Sequence, residues 1–202
     1  MWQTDFKGEF RMADSNYCYP LDIIDDYSRF VIKIAPHLGA ANVVIPAFTE
    51  AFREFGLLDS ILSYNGKQFT DFKKGYTQFD RWLMDLNILL VHGRIKHPQT
   101  QGKIERFHRT KKQEPLNHID IANIEDARCK FAIWRDKYNN IHPHSALGIK
   151  RPEGVYEPCK RQYCESIEKY EYSGAHHVIK VNNRGCVWFD KWQVYLSETM
   201  IG

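Results

Sequence analysis

The sequence has no apolar run near the roughly 18 residues of a membrane span, and no basic start followed by an apolar stretch. Neither insertion nor export is signalled, so a cytoplasmic protein with no membrane partner is expected. Its five cysteines, Cys18, Cys129, Cys159, Cys164 and Cys186, are odd in number and lack Cys-x-x-Cys spacing. That excludes a disulfide framework and a zinc ribbon and leaves buried or idle thiols. The histidines form no His-x-x-x-His pair with a partnering Cys or acid at zinc spacing, so packing or phosphate contact is the better reading for them. Internal repeats and low-complexity tracts are also missing. What remains is 202 residues, 43% hydrophobic and 26% charged, enough for one sizeable core or a core with a small appendix.

The net charge of +3 is small but unevenly placed. Between His92 and Lys112 stand seven cations, Arg94, Lys96, Lys103, Arg106, Arg109, Lys111 and Lys112, against the single acid Glu105. This stretch carries +6 and the rest of the chain −3, which together give the total of +3. Cations crowded around one acid suit a polyanionic partner, because each cation set against a phosphate releases a counterion. A solvated basic helix face would give the same pattern.

Three aromatic and β-branched runs, Trp2 to Phe10, Tyr17 to Asp26 and Arg29 to Ala35, read as successive strands of an antiparallel meander. Val44, Ala47, Phe48, Ala51, Phe52 and Phe55 recur at helical spacing and stop at Gly56, with Pro46 acceptable only in the first turn. A short strand from Ser60 to Ser63 precedes the turn signal Asn65-Gly66. A helix from about Phe79 to Asn87, a strand from Ile88 to His92 and helices at about 101–113 and 124–138 follow. On the first of these last two helices Ile104 and Phe107 mark the buried stripe, and Glu105, Arg109 and Lys112 share an adjacent face. Trp2 and Trp82 are most simply core aromatics. The segment Val178 to Leu196 reads as strands around a turn at Asn182-Asn183-Arg184-Gly185. About 25 residues cannot bury a core unaided, so it is expected as a docked hairpin or part of a small β domain.

Three separated segments carry the chemistry: Trp2-Gln3-Thr4-Asp5, Ser63-Tyr64-Asn65-Gly66 with Phe69, and His97-Pro98-Gln99-Thr100-Gln101-Gly102-Lys103-Ile104-Glu105-Arg106-Phe107-His108-Arg109. In this order and spacing they resemble the catalytic core of retroviral-type integrases and of insertion-sequence transposases with an Asp-Asp-Glu triad. The likeness runs on through Tyr138-Asn139 to Val194-Tyr195-Leu196-Ser197-Glu198, which resembles the carboxy-terminal stretch of transposases related to the IS3 and IS481 groups. It implies an α/β fold of ribonuclease-H-like type, a mixed sheet flanked by helices, with a core over residues 1–158 and a linker with a partial SH3-like β segment over 159–202. It implies metal-dependent DNA strand transfer, with Mg²⁺ or Mn²⁺ as cofactor. The partners it implies are double-stranded DNA, both transposon ends and target, and a homo-oligomer or a mixed oligomer with intact transposase.

By the same resemblance, Asp5 and Glu105 match the first and third acids, and both are candidate metal ligands. The second acid falls on Tyr64. In-line phosphodiester transfer uses two divalent cations about 3.5 to 4 Å apart, for which carboxylates are natural hard-oxygen ligands. A phenol is neutral at pH 7 and a poor substitute, so this copy is expected to be impaired. Asn65, Gln99, Thr100, Gln101, Lys103, Arg106, Arg109 and Lys112 are the candidate DNA contacts. Gln99 to Gln101 lie where a helix amino terminus could face a phosphate. Asp25, Asp26 and Asp59 are the other acids near the site, better read as turn caps and solvated strand ends than as ligands. Lys111 falls where the helical period expects an apolar residue and relatives usually carry leucine. A cation there is expected to snorkel or to weaken packing. Against the family pattern the chain also lacks a leading helix-turn-helix and stops within the final β segment, so truncation at both ends is expected.

Overall fold

The computed structural model describes residues 1–202 apart from 7, 40–41, 65, 67, 70–74, 94–101, 117–119, 167–170 and 202. Five strands form the central sheet: β1 (Trp2–Phe6), β4 (Leu21–Asp25), β5 (Val31–Ala35), β6 (Ser60–Ser63) and β7 (Leu89–His92). Their order is β5-β4-β1-β6-β7, antiparallel from β5 to β1 and parallel from β1 to β7. This is the mixed sheet expected, with β1 at its centre.

The meander differs in detail. Residue Gly8, at φ +83°, ends the first strand early, and Pro20, which has no N–H for a ladder, divides the second. The pieces Phe10–Arg11 (β2) and Tyr17–Cys18 (β3) pair with each other outside the main sheet.

Helices cover both faces. On one, α1 (Val44–Phe55) and α2 (Gln78–Asp85) pack on Trp2, Leu21, Ile23, Ile32 and Ile61 around Phe48, Phe52 and Phe79. Pro46 does sit in the first turn of α1, and both Trp2 and Trp82 belong to this cluster. The α1 helix stops at Gly56, where φ is +79° and an added Cβ would come within 2.5 Å of the Arg161 carbonyl. The α2 helix begins one residue before its apolar pattern, because Thr77 and Asp80 form a reciprocal capping box.

On the other face, α3 (Gly102–Lys111) and α4 (Ile124–Asn140) cover Ile24, Val31 and Ile34. Past Lys111 the chain widens into a π-helical turn over Lys112–Leu116, where Pro115 cannot donate to a regular helical ladder. The Asn139 carboxamide accepts from Val31 N at 2.8 Å and donates to Val31 O at 3.0 Å, tying α4 to the edge strand β5.

The C-terminal hairpin turns later than the expected turn at Asn182-Asn183-Arg184-Gly185. Its strands are β8 (Cys186–Phe189) and β9 (Trp192–Tyr195), and the reversal falls at Asp190-Lys191, with Asp190 at φ +53°. The Asn182-to-Gly185 turn instead seats Gly185 under the backbone of Ser197, 2.6 Å from where a Cβ would stand. Ser197 Oγ donates to Tyr76 O at 2.6 Å and Arg81 donates to Thr199 O at 2.5 Å, which docks the segment on the start of α2. All five cysteines are free, and burial pushes the Cys18 thiol up to about 11. Among the described residues no helix is long and apolar enough to cross a membrane.

Candidate active site

Strand alternation decides which side chains of β1 and β4 meet α3. Trp2 points into the α1 and α2 cluster, so Gln3 and Asp5 point the other way. In the antiparallel ladder Asp5 stands directly opposite Asp22. Helix α3 is placed over them by its own start: Ile104 N donates to Gln3 Oε1 at 3.2 Å, and Lys103 Nζ donates to Asp26 Oδ2 at 2.6 Å. From there Glu105, His108 and Lys111 follow at three-residue spacing along one side of the helix.

His108 is buried between the two aspartates. Its Nε2 lies 3.0 Å from Asp22 Oδ2 and its Nδ1 4.0 Å from Asp5 Oδ2. Lys111 is 1% exposed, and its ammonium pairs with the same Asp22 Oδ2, lying about 5.8 Å from the Phe107 ring and 5.9 Å from that of Phe131. Asp22 itself is fully buried, and its Oδ1 has no hydrogen-bond partner among the described residues. Asp5 is nearly buried at 9%, and Glu105 is half-buried. The expectation for Lys111 is therefore corrected. The ammonium does not snorkel outward, because an acid on the facing strand meets it inside the core.

Asp22 and His108 were missed as parts of the site. The signals were present: one acid inside the apolar run Leu21-Asp22-Ile23-Ile24, and a histidine and a lysine of the opposite polarity at buried helix positions. Neither alternation nor helical period alone pairs them, since the match crosses from strand to helix over 89 residues.

Tyr64 follows Ser63, the residue in register with Thr4 and, on the other side, with His92. It emerges at the same end of the sheet as Asp5 and is 43% exposed. Ser63 Oγ and His92 Nδ1 are hydrogen-bonded at 3.1 Å beneath it. The other acids lie elsewhere. Asp59 precedes the opposite end of β6, roughly 16 Å of strand from residue 64. Asp25 pairs in register with Trp2 and caps its turn through Ser28 N at 2.8 Å. Asp26 accepts from Gln3 at 2.5 Å and from Lys103. The turn-capping reading holds for Asp25.

Of the expected DNA contacts, Lys103 is engaged by Asp26, and Arg106 reaches Ser145 Oγ at 3.3 Å while staying exposed, as do Arg109 and Lys112. Asn65, Gln99, Thr100 and Gln101 lie outside the described residues. Among the described residues no three His, Cys, Asp or Glu side chains come together as a metal-holding group. Asp5 and Glu105 are suitable oxygen donors for a divalent ion, but this donor set is one carboxylate short of a two-ion site.

Two models of the integrase core domain match the chain, one over residues 1–98 and one over residues 86–152. The chain belongs to the integrase core family. Among its relatives, a 31.7 kDa protein of insertion element IS407 from Burkholderia multivorans is 25% identical over 153 residues, covering 75% of this chain and 53% of the relative. A 39.2 kDa protein of insertion element IS476 from Xanthomonas euvesicatoria is 26% identical over 148 residues, 73% of this chain and 41% of the relative. The chain thus spans about half the length of the relatives it matches.

Solved structures share the fold. The HTLV-2 integrase catalytic core domain, determined in complex with magnesium in a trimeric form, superposes with a TM-score of 0.55 at 14% identity, over 77% of this chain and 95% of its own. A simian T-cell lymphotropic virus intasome chain gives 0.60 at 11% identity, over 98% of this chain and 76% of its own. The catalytic core of BIV integrase gives 0.52 at 19% identity, over 77% and 91%. The integrase core is thus a ribonuclease-H-like mixed sheet flanked by helices, with a short C-terminal β hairpin added.

Proposed function

We propose that the integrase core described here is the strand-transfer core of an insertion-sequence transposase, disabled at one position of its metal site. The observation that carries this reading is the convergence of Asp5, at the end of the central strand, with the α3 helix that bears Glu105, at the sheet end where Tyr64 emerges. In this reading residues 1–158 are the catalytic core and 159–202 a linker with a partial β segment.

Asp5 and Glu105 would hold Mg²⁺ or Mn²⁺. When bound, such ions activate the attacking hydroxyl and stabilise the leaving oxygen. The chain's own residues supply the rest. Gln3 and Asp26 anchor the first turn of α3, so Glu105 is held over β1. His108 fills the space between Asp5 and Asp22, closer to Asp22. Arg106, Arg109 and Lys112 leave the helix toward solvent, free to track a DNA backbone, and Lys103 joins them once Asp26 releases it. With Tyr64 in place of an acid, the residues that would hold the ions are one carboxylate fewer, and removing one member of a catalytic unit removes most of its activity.

A second reading, favoured by the lack of a three-donor group among the described residues, is a non-catalytic DNA-binding remnant that joins intact transposase in a mixed oligomer. Either form would act in the cytoplasm on double-stranded DNA. Strand cleavage and joining on a preassembled branched DNA in Mg²⁺ or Mn²⁺ separates them. Activity in Tyr64→Asp that is lost again in Tyr64→Asp with Glu105→Gln supports the disabled enzyme. Silence in both, with DNA binding retained, leaves the remnant. Activity in the unmodified chain overturns the impairment.

A further inference from the structure

A second concave surface lies beside the start of α3, outside the carboxylate site. It is a cleft of about 340 Å³ between the β4–β5 turn, α3 and the 3-10 turn after α4, and three of its lining side chains are Arg29, Lys103 and Lys150. Tyr27, Ala146 and Leu147 complete most of its wall, and among the described residues no acid lines it. Asp26 is the nearby carboxylate, and it is taken up by Gln3 and Lys103. Among the described residues neither Arg29 nor Lys150 has an acidic partner. Lys103 is paired with Asp26, so the cleft holds two cations, Arg29 and Lys150, without a counter-charge among the described residues, a net positive charge that water or an anion covers.

Arg29 sits at φ +64° and donates through Nη1 to the carbonyls of Asp26 and Tyr27, so its guanidinium closes the turn. On the opposite wall His144 N donates to Lys150 O and Ile149 N to His144 O, both at 2.9 Å, and Ile149, a β-branched residue, is held at φ +65°. Arg106 reaches the same turn at Ser145. The local field registers on its neighbours: burial, then Arg106 and Arg29, hold His144 below its ordinary range. Tyr27 stands 76% exposed at the rim, an open ring face for a base.

We propose that this cleft binds a backbone phosphate of a DNA strand, with Arg29, Lys103 and Lys150 as its cations and Tyr27 against an adjoining base. Lys103 is two residues before Glu105, so the subsite lies within one helical turn of the metal-binding glutamate. It would therefore hold the strand next to the reacting one and set its register. This rests on the DNA-acting reading above and adds a specific contact point to it.

The test is binding of a labelled branched DNA to the whole chain in EDTA, as a function of salt, with Lys150→Gln, Lys150→Arg and, on the distant hairpin, Lys191→Gln. Thermal unfolding of each variant checks that the fold is kept. Each phosphate contact contributes about 0.9 to the slope of log affinity against log salt. Lys150→Gln is expected to lose about that much slope, Lys150→Arg to retain it and Lys191→Gln to leave it unchanged. Equal slopes for Lys150→Gln and Lys191→Gln would overturn the cleft while leaving the transposase reading in place. No DNA binding by the parent chain would overturn both.

Discussion

Two places near the same sheet end, Lys111 in the interior and Tyr64 at the surface, behave in opposite ways. In the interior, Lys111 occupies a position suited to an apolar side chain, and the protein answers it with Asp22 on the facing strand. At the surface, Tyr64 stands where the proposed metal site would take an acid, and among the described residues no three donor side chains come together there. The difference follows from solvent. A buried charge without a partner costs several kcal/mol, so the fold cannot keep Lys111 without Asp22. An exposed tyrosine at a strand end costs the fold almost nothing. Folding therefore enforces compensation in the core and is indifferent to which side chain stands at an exposed strand end, so an intact fold does not by itself imply an intact site.

The largest effects are expected at the buried pair of Lys111 and Asp22. Asp22→Ala should destabilise the chain by about 3 to 5 kcal/mol, because it leaves the Lys111 ammonium buried and without its acid, and Lys111→Met should cost less, because His108 Nε2 still lies 3.0 Å from Asp22 Oδ2. The combination Asp22→Val with Lys111→Leu should recover most of that loss or exceed the parent, since Asp22 Oδ1 is already without a hydrogen-bond partner among the described residues. Denaturant unfolding of the four chains checks it. Additive single and double losses would show that the two residues do not act as a pair.

A smaller effect concerns acid. Burial, followed by the nearby Arg128, lowers His37, and burial with Arg106 and Arg29 lowers His144, both from an ordinary 6.5. The unfolded chain then takes up protons at these sites before the folded chain does. Their contribution is fully present above about 6.5 and is lost as pH falls below it. Stability should decline from pH 7 toward pH 5, and His37→Gln and His144→Gln should each flatten the decline. A profile unchanged by both would remove these histidines from the account.

The smallest effect is expected at the surface position. Tyr64→Asp should change unfolding stability by no more than about 0.5 kcal/mol, as for other exposed substitutions. A loss of several kcal/mol would mean that the tyrosine is built into the fold and would erase the contrast with Lys111.

The legible part of this chain was the part written in local patterns. The apolar spacing of α1 and its stop at Gly56 came through to within a residue, and so did the parallel strand Ser60–Ser63. The order of strands and helices matched the ribonuclease-H-like plan. What local pattern could not show was anything closed by a distant partner. Phe10–Arg11 left the main sheet because Gly8 and Pro20 broke the strands around it. The C-terminal turn moved because Gly185 was needed under Ser197. Asp5 and Glu105 could be recognised from their motifs, whereas His108 and Asp22 join them only through the register that sets Asp5 opposite Asp22.

Mn²⁺ binding decides whether the proposed metal site is whole apart from one carboxylate. The parent chain, Tyr64→Asp, and Tyr64→Asp with Glu105→Gln would be titrated without DNA. Tyr64→Asp should bind at least ~10-fold more tightly than the parent, and Glu105→Gln should remove that gain. Equal affinity in the parent and Tyr64→Asp would contradict the claim, because residue 64 would then not face the metal that Asp5 and Glu105 are assigned to hold.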